Sequence, residues 1–397
     1  METNPGRADL YAALRRSALT AISLGCGVLL CFALLEIVLR WLPVNQGLRT
    51  LPVNDDNPVP RFAPNRTSTW SRGWNFNLIN SVRTNNYGFV NDQTYEPVSS
   101  TPLLAIIGDS YVEAAMVPFE ETGAGRLSRQ SAPGLRVYSF GSSGAALSQY
   151  LAYARYVRET FHPDGLVVVI ISNDFDESLL KYKSSPGATY FAEGERGELV
   201  LTRVDFAPSF ARRLIQNSAL AMYLLTNVQV TGAVDRAKDW WHRMTDSPAS
   251  RYVGNTPAVV DPIRLADSHR AVDAFLDRLP GAAGLAPSAI LLVLDGNRQA
   301  IYGEPGMDAG QNSYFDTMRR YVLDRGRARG FEMLDLHRDF SEHYRRHRAR
   351  FEWRHDWHWN GLGHQVFAEG VARSGLYRRL SLHGSPAAAA VAHSPAH

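Results

Sequence analysis

The chain has 397 residues, 45% of them hydrophobic and 20% charged, with a formal net charge of +3. This length and composition suit a globular fold with a sizeable core, exclude a disordered chain, and offer no global basic excess for nucleic acid. Both cysteines, Cys26 and Cys31, lie in one apolar segment, so the rest of the chain has no disulfide, no thiol nucleophile and no cysteine metal ligand.

From Ser17 to Leu35 the chain runs without a charge, rich in Leu, Ala, Ile and Val. That is long enough to cross a bilayer, and Glu36, Arg40 and Trp41 mark its far interface. It ends in no small-residue cleavage site, so the reading is a retained signal anchor over 17–42 rather than a removed signal peptide. Arg7, Arg15 and Arg16 precede it, and Arg40 and Arg49 follow. The slight charge bias favours a cytoplasmic amino terminus over 1–16. Residues 43–100, with repeated Asn and Pro, read as a linker and lead-in. Within them Arg83-Thr84-Asn85-Asn86-Tyr87-Gly88-Phe89 has turn chemistry and is expected to pack against the following domain.

The apolar run 103–107 is too short for a helix and reads as a buried strand of a parallel sheet. It stops at Gly108 and delivers Asp109 and Ser110 into the opening of a helix over 111–116. A second strand over 136–140 runs into Gly141-Ser142-Ser143-Gly144, then a helix over 145–159. A third, 165–171, ends in Ser172-Asn173-Asp174. Three strands therefore finish in small or amide residues at the spacing of βαβ units, where open α/β sheets hold their ligands. Residues 176–262 read as an insertion capping the cleft, with a hairpin over 190–204 and an apolar helical stretch over 214–228. Beyond it the pattern predicts a helix over 267–279, a strand over 289–294, a helix over 314–329 and a strand over 331–336. The tail, 381–397, has no means of burying a core and is expected to be disordered.

The last informative stretch is Trp353-Arg354-His355-Asp356-Trp357-His358-Trp359-Asn360-Gly361-Leu362-Gly363-His364, ahead of a helix over 365–372. Asp356 and His358, two residues apart in a predicted loop, suit a carboxylate that fixes an imidazole tautomer. His355, His358 and His364 share no helical face, so no metal site is expected, and no cofactor. His355 is the alternative base to His358. His364 is expected to open a helix and be satisfied by the backbone; Asp109 and Asp174 are expected to hold loops. Trp353, Trp357 and Trp359 suit either sugar stacking or packing under the loop.

Gly108-Asp109-Ser110, the turn ending at Gly144, Ser172-Asn173-Asp174, and Asp356 with His358 resemble, in this order, the four blocks of the SGNH (GDSL-type) hydrolase family. The membrane-anchored layout, with Arg83-Thr84-Asn85 and Tyr87-Gly88-Phe89 ahead of the first block, looks like bacterial members of that family. The resemblance implies a three-layer α/β/α sandwich with a mainly parallel, flavodoxin-like sheet over 101–380. It implies Ser110 as nucleophile, His358 as general base and Asp356 as its orienting acid. The oxyanion hole it implies combines the Ser110 and Gly144 backbone N–H groups with the Asn173 amide. Three positions depart from the family pattern: Ser139 stands where Asn is usual, Ile171 where Gly is usual, and acid and base are two rather than three apart. The closer spacing, followed by Trp359-Asn360, is similar to alginate O-acetylation proteins. The expected function is a serine esterase that deacetylates a carbohydrate in the cell envelope. The alternatives are an O-acetyltransferase acting on an exopolysaccharide and an inactive glycan-binding envelope protein. The expected partners are an acylated carbohydrate or other small ester and the bacterial inner membrane, crossed once, with the catalytic domain extracytoplasmic and no nucleic acid.

Overall fold

The computed structural model describes residues 5–131, 133–230, 252–253, 256–257, 261–303, 313–353 and 356–383. Contacts among them divide the chain into two units, one holding 48–68, 80–208 and the described residues beyond 238, the other 5–47, 69–79 and 209–230.

The larger unit is built on one sheet of five parallel strands: β1 (Leu103–Gly108), β2 (Arg136–Gly141), β3 (Gly165–Ile170), β4 (Ile290–Leu294) and β5 (Glu332–Asp335). Their spatial order is β2-β1-β3-β4-β5, every neighbouring pair parallel. Ile107 of β1 stands level with Phe140 and Val168, and Ile170 with Leu294, so the carboxyl ends of the central strands reach one edge together. Every residue of β1, β3 and β4 is buried, because helices cover both faces and strand side chains alternate between them. Leu103, Ala105, Ile107, Val168 and Leu292 pack with Tyr150, Phe161, Phe275 and Met318. Those four come from α2 (Leu147–Phe161), α3 (Pro262–Ala283) and α4 (Tyr314–Ala328). Leu104, Ile106, Val167 and Leu291 face the other way, onto Leu127, Phe340 and Phe367, carried by α1 (Gly123–Ser131), α5 (Leu336–His347) and α6 (Gly361–Ala372) in chain order around the opposite layer. This is the three-layer α/β sandwich that the resemblance implies.

Several local expectations shift. The helix expected over 111–116 is a single turn, Ser110–Glu113, ended by Ala114 in the left-handed region at φ 48°. The hairpin near 190–204 is present as Thr189–Glu193 paired with Leu199–Arg203. Residues 381–383, expected to begin the disordered tail, instead close the helix Gly375–His383; 384–397 and His355 lie outside the described residues. In the lead-in, Asn85 Oδ1 accepts the Tyr87 and Phe89 N–H groups at 2.9 and 3.0 Å. Phe89 is thereby turned into the core, edge-on to Phe140 with centroids 5.0 Å apart. The motif packs, as expected.

The smaller unit begins with the helix Pro5–Leu39. Its segment Leu14–Leu39, 26 residues of mean hydropathy 2.5, is long and apolar enough to cross a membrane. Leu39, Val44 and Met222 form a small core with Phe76 and Tyr223 against it. Buried Asn45 and Asn227 tie the chain together through Ser71: the Asn45 amide donates to the Ser71 carbonyl at 3.0 Å, and the Asn227 amide to the Ser71 hydroxyl at 2.8 Å. Residues 209–230 had been expected inside an insertion over the cleft. They fold with the end of this helix, because the Glu36 carboxylate accepts hydrogen bonds from Ser218, Ala219 and Leu220.

Candidate active site

Ser110 begins the helical turn directly after β1. Asp109 caps that turn, its Oδ1 accepting the Tyr111 N–H at 2.9 Å. In the order β2-β1-β3-β4-β5 the chain steps outward one way from β1 and then the other way from β3. The edge above this pair is the switch point at which doubly wound sheets open a crevice. The end of β2 passes against the same turn. A Cβ on Gly141 would stand 2.3 Å from the Glu113 nitrogen and 2.9 Å from the Asp109 oxygen, so only glycine fits.

Asp356 and His358, expected in a loop, lie on a short strand, Asp356–Trp359, paired antiparallel with Glu352–Trp353. Positions two apart on a strand share a face. Asp356 is buried, while the His358 side chain keeps 24% of its exposure. Asp356 Oδ1 accepts the His358 backbone N–H at 3.0 Å and is in close contact with the ring Nδ1. The opposite nitrogen, Nε2, stands 2.7 Å from Ser110 Oγ. Asp356, His358 and Ser110 thus meet in one hydrogen-bonded line, although 248 positions separate the serine from the histidine. With Nδ1–H donated to a carboxylate, the Nε2 lone pair faces the hydroxyl, the arrangement that removes a proton from it.

What holds this strand in place was not read from the sequence. The carbonyl of Trp357, the residue between acid and base, accepts from Tyr111 Oη at 2.8 Å and from Arg298 Nη1 at 2.6 Å. Arg298, with 10% of its side chain exposed, lies between the buried Asp295 and Glu352, at 3.2 and 3.4 Å, and also donates to Tyr111 Oη at 2.6 Å. Asp295 in turn accepts the Trp359 indole N–H at 3.0 Å. Of the three tryptophans, Trp359 is fully buried under this network and Trp357 is about half exposed. Arg298 sits just past the end of β4, in Asp295-Gly296-Asn297-Arg298. Polar residues at a buried strand's carboxyl end singled out the other strand ends and would have found this one.

The proposed oxyanion donors lie in turns that are braced to each other. Gly144 adopts φ +78°, a left-handed value that glycine takes without strain. Ser143 donates its N–H and its hydroxyl to the buried Glu113 carboxylate at 2.7 and 3.0 Å, fixing the Gly141–Gly144 turn to the Ser110 helical turn. The Asn173 amide donates to Glu177 at 2.7 Å, which identifies its NH2 end. Lys183 pairs with Glu177 and also donates to the Gly144 carbonyl at 3.2 Å. One ammonium–carboxylate pair therefore links both turns. Replacing Asn173 by Ala is expected to lower kcat about 10²–10³-fold with little change in KM, the usual cost of one oxyanion donor. Steady-state kinetics on a p-nitrophenyl ester decides it, and a loss under tenfold removes Asn173 from the role.

Several other expectations are visible at short range. His364 is buried and its Nδ1 accepts the Gly123 N–H at 3.3 Å; burial pushes it down to about 3, so the ring is neutral. Asp174 Oδ2 accepts the Ile171 N–H at 2.8 Å and the Tyr150 hydroxyl at 2.9 Å. Ser139, in the position where Asn was expected from the resemblance, is buried and accepts from the Asn91 amide at 2.9 Å.

The floor of the site is a cluster of buried acids. Burial pushes Asp109 up to about 6 and Glu113 up to about 7. It raises Asp174 well above the usual carboxylate range, with the Asp109 charge adding to the effect. Glu113 moves from an ordinary 4.5 to about 7, so between those values the folded chain holds a proton that the unfolded chain has lost. Stability from this group therefore falls as pH rises from about 4.5 to 7, by on the order of 3 kcal/mol. Glu113→Gln is expected to flatten the fall, which urea midpoints measured across that range would show. An unchanged slope would mean that Glu113 does not titrate there.

No protein-family model matches the chain, and no curated protein matches it in sequence. Among solved structures, it is similar to a member of the lipolytic protein G-D-S-L family from Veillonella parvula, at 8% identity and a TM-score of 0.36, over 69% of this chain and 98% of that one. An acetyl xylan esterase is similar at 12% identity and a TM-score of 0.36, covering 68% of this chain and 97% of the other. A lipase/acylhydrolase from Enterococcus faecalis is similar at 10% identity and a TM-score of 0.36, over 71% and 97% of the two chains. At so remote a likeness, roles for individual residues rest on the distances described above.

Proposed function

We propose that this chain is a serine esterase of the SGNH type working through an acyl-enzyme. The observation that carries the reading is the unbroken line from Asp356 through His358 to Ser110, with 2.7 Å between imidazole and hydroxyl, at the switch-point edge of a parallel sheet. In this mechanism His358 takes the Ser110 proton as Oγ attacks the ester carbonyl. The Ser110 and Gly144 N–H groups and the Asn173 amide meet the charge that develops on the carbonyl oxygen. His358 then protonates the departing alcohol, and water repeats the sequence to release the acid. Asp356 keeps the ring oriented and stabilises the imidazolium.

The substrate we assign is an acetylated carbohydrate of the cell envelope, the class implied by the sequence resemblance. Leu14–Leu39 serves as a single-pass anchor in the bacterial inner membrane, with the sheet unit on the extracytoplasmic side. Incubation with a fluorophosphonate probe tests the nucleophile: mass-spectrometric labelling of Ser110 is expected, and an unlabelled Ser110 favours an inactive glycan-binding protein. Labelled acetyl donor with a glycan acceptor separates hydrolysis from transfer. Free acetate alone supports the esterase, and label on the glycan assigns the chain as an acetyltransferase instead.

A further inference from the structure

Beside the apolar amino-terminal helix lies a face that no described residue of its unit covers. The helix Phe210–Asn217 buries none of its residues. Phe210, Ala211, Leu214 and Ile215 occupy one side at 100° per residue, and Arg212, Arg213, Gln216 and Asn217 the other. Phe210 is 70% exposed and Leu214 56%. Two tryptophans from other parts of the same unit are also bare: Trp41, just past the apolar helix, at 87%, and Trp74 at 71%. The Trp74 turn is held there by Tyr223, whose hydroxyl donates to the Trp74 carbonyl at 2.8 Å.

The depth of this face follows from its bonds. Leu14–Leu39 is 26 residues long, or ~39 Å as a helix, against a hydrocarbon core of about 30 Å. Its last turn, carrying Glu36, and Arg40 just past it therefore stand at the level of the headgroups. Glu36 accepts from the Ala219 and Leu220 N–H groups at 3.0 and 2.9 Å, and Arg40 donates to the Asn217 carbonyl at 3.1 Å. These bonds hold the end of Phe210–Asn217 at that same level. An amphipathic helix with arginines on its polar side, flanked by exposed tryptophans, has the composition of an interfacial segment.

We propose that Phe210–Asn217 lies in the headgroup region of the bilayer that the amino-terminal helix crosses, so that lipid is what covers Phe210, Leu214 and Ile215. The inference rests on reading Leu14–Leu39 as a membrane span. A second contact point limits rotation of the anchor, as one spanning helix alone does not.

The test uses the full chain with Cys26→Ser and Cys31→Ser, in nanodiscs of phosphatidylcholine and phosphatidylglycerol. One nitroxide is attached at Leu29→Cys, Leu214→Cys or Arg213→Cys, and its collisions with oxygen and with a water-soluble nickel chelate are measured. Labels at positions 29 and 214 are expected to favour oxygen, with an oxygen-to-nickel ratio several-fold higher at 214 than at 213. A label at 214 that meets nickel as freely as one at 213, while 29 stays in lipid, overturns the inference and leaves the anchor standing. A label at 214 shielded from both reagents overturns it in favour of a second copy of the chain. A label at 29 that meets nickel removes the anchor reading and the inference with it.

Discussion

Replacing Ser110 by Ala is expected to lower kcat/KM for p-nitrophenyl acetate by on the order of 10⁴-fold or more. The hydroxyl is what His358 Nε2 meets at 2.7 Å, and without it the imidazole has no bound nucleophile to activate. What remains is substrate binding and the oxyanion donors, which alone retain a modest advantage over water. His358→Ala should cost a similar factor, and the double variant little more, because two groups acting in one step lose their effect together. Differential scanning calorimetry or near-UV circular dichroism would show that the variants keep the fold. Activity of Ser110→Ala within tenfold of the parent would remove Ser110 as nucleophile, and with it the acyl-enzyme.

The second large effect belongs to a residue outside the proposed chemistry. Arg298→Met keeps the length of the side chain but strands the buried Asp295 carboxylate, while the buried Glu352 keeps Arg350 at 3.6 Å and the Tyr302 hydroxyl at 2.6 Å. Losing one partner of a buried ion pair typically costs about 3–5 kcal/mol, since the remaining charge has neither water nor counterion. The same substitution removes one of the two donors to the Trp357 carbonyl, leaving Tyr111 Oη. The strand between Asp356 and His358 then loses part of its anchorage, so kcat should fall along with the urea midpoint. Arg298→Lys keeps the charge but not the planar fork that reaches Trp357, Tyr111 and both carboxylates, and should be intermediate. The stability deficit of Arg298→Met should narrow on acidification. Asp295 already titrates above the usual carboxylate range because of its burial, and a proton on it removes the stranded charge. A deficit that is the same at every pH would mean that lost packing, not unpaired charge, is responsible.

The sheet was legible because its signal is local. Buried parallel strands are short apolar runs, and β1, β3 and β4 stand out as the runs 103–107, 165–171 and 289–294. The turn residues after them are equally local, since a strand that stops at glycine or in small polar residues marks itself. Legibility failed where structure depends on what packs from elsewhere. Asp356–Trp359 reads as loop because four residues carry little periodicity; it becomes a strand by pairing with Glu352–Trp353. The stretch 209–230 reads as part of an insertion, and its bonds to Glu36 and Ser71 assign it to the unit of the amino-terminal helix.

By itself, then, the amino-acid order determined a parallel α/β sheet, an apolar helix of membrane length, and four short polar blocks at the ends of apolar runs. The tertiary structure alone decided that Ser110 and His358 stand 2.7 Å apart, that Arg298 clamps the strand carrying Asp356 and His358, and that Lys183 with Glu177 joins the Gly144 and Asn173 turns. The reason is physical. Strand and turn formation depend on neighbours in the chain, whereas a hydrogen bond or ion pair across hundreds of positions exists only once packing has fixed the distance between its partners.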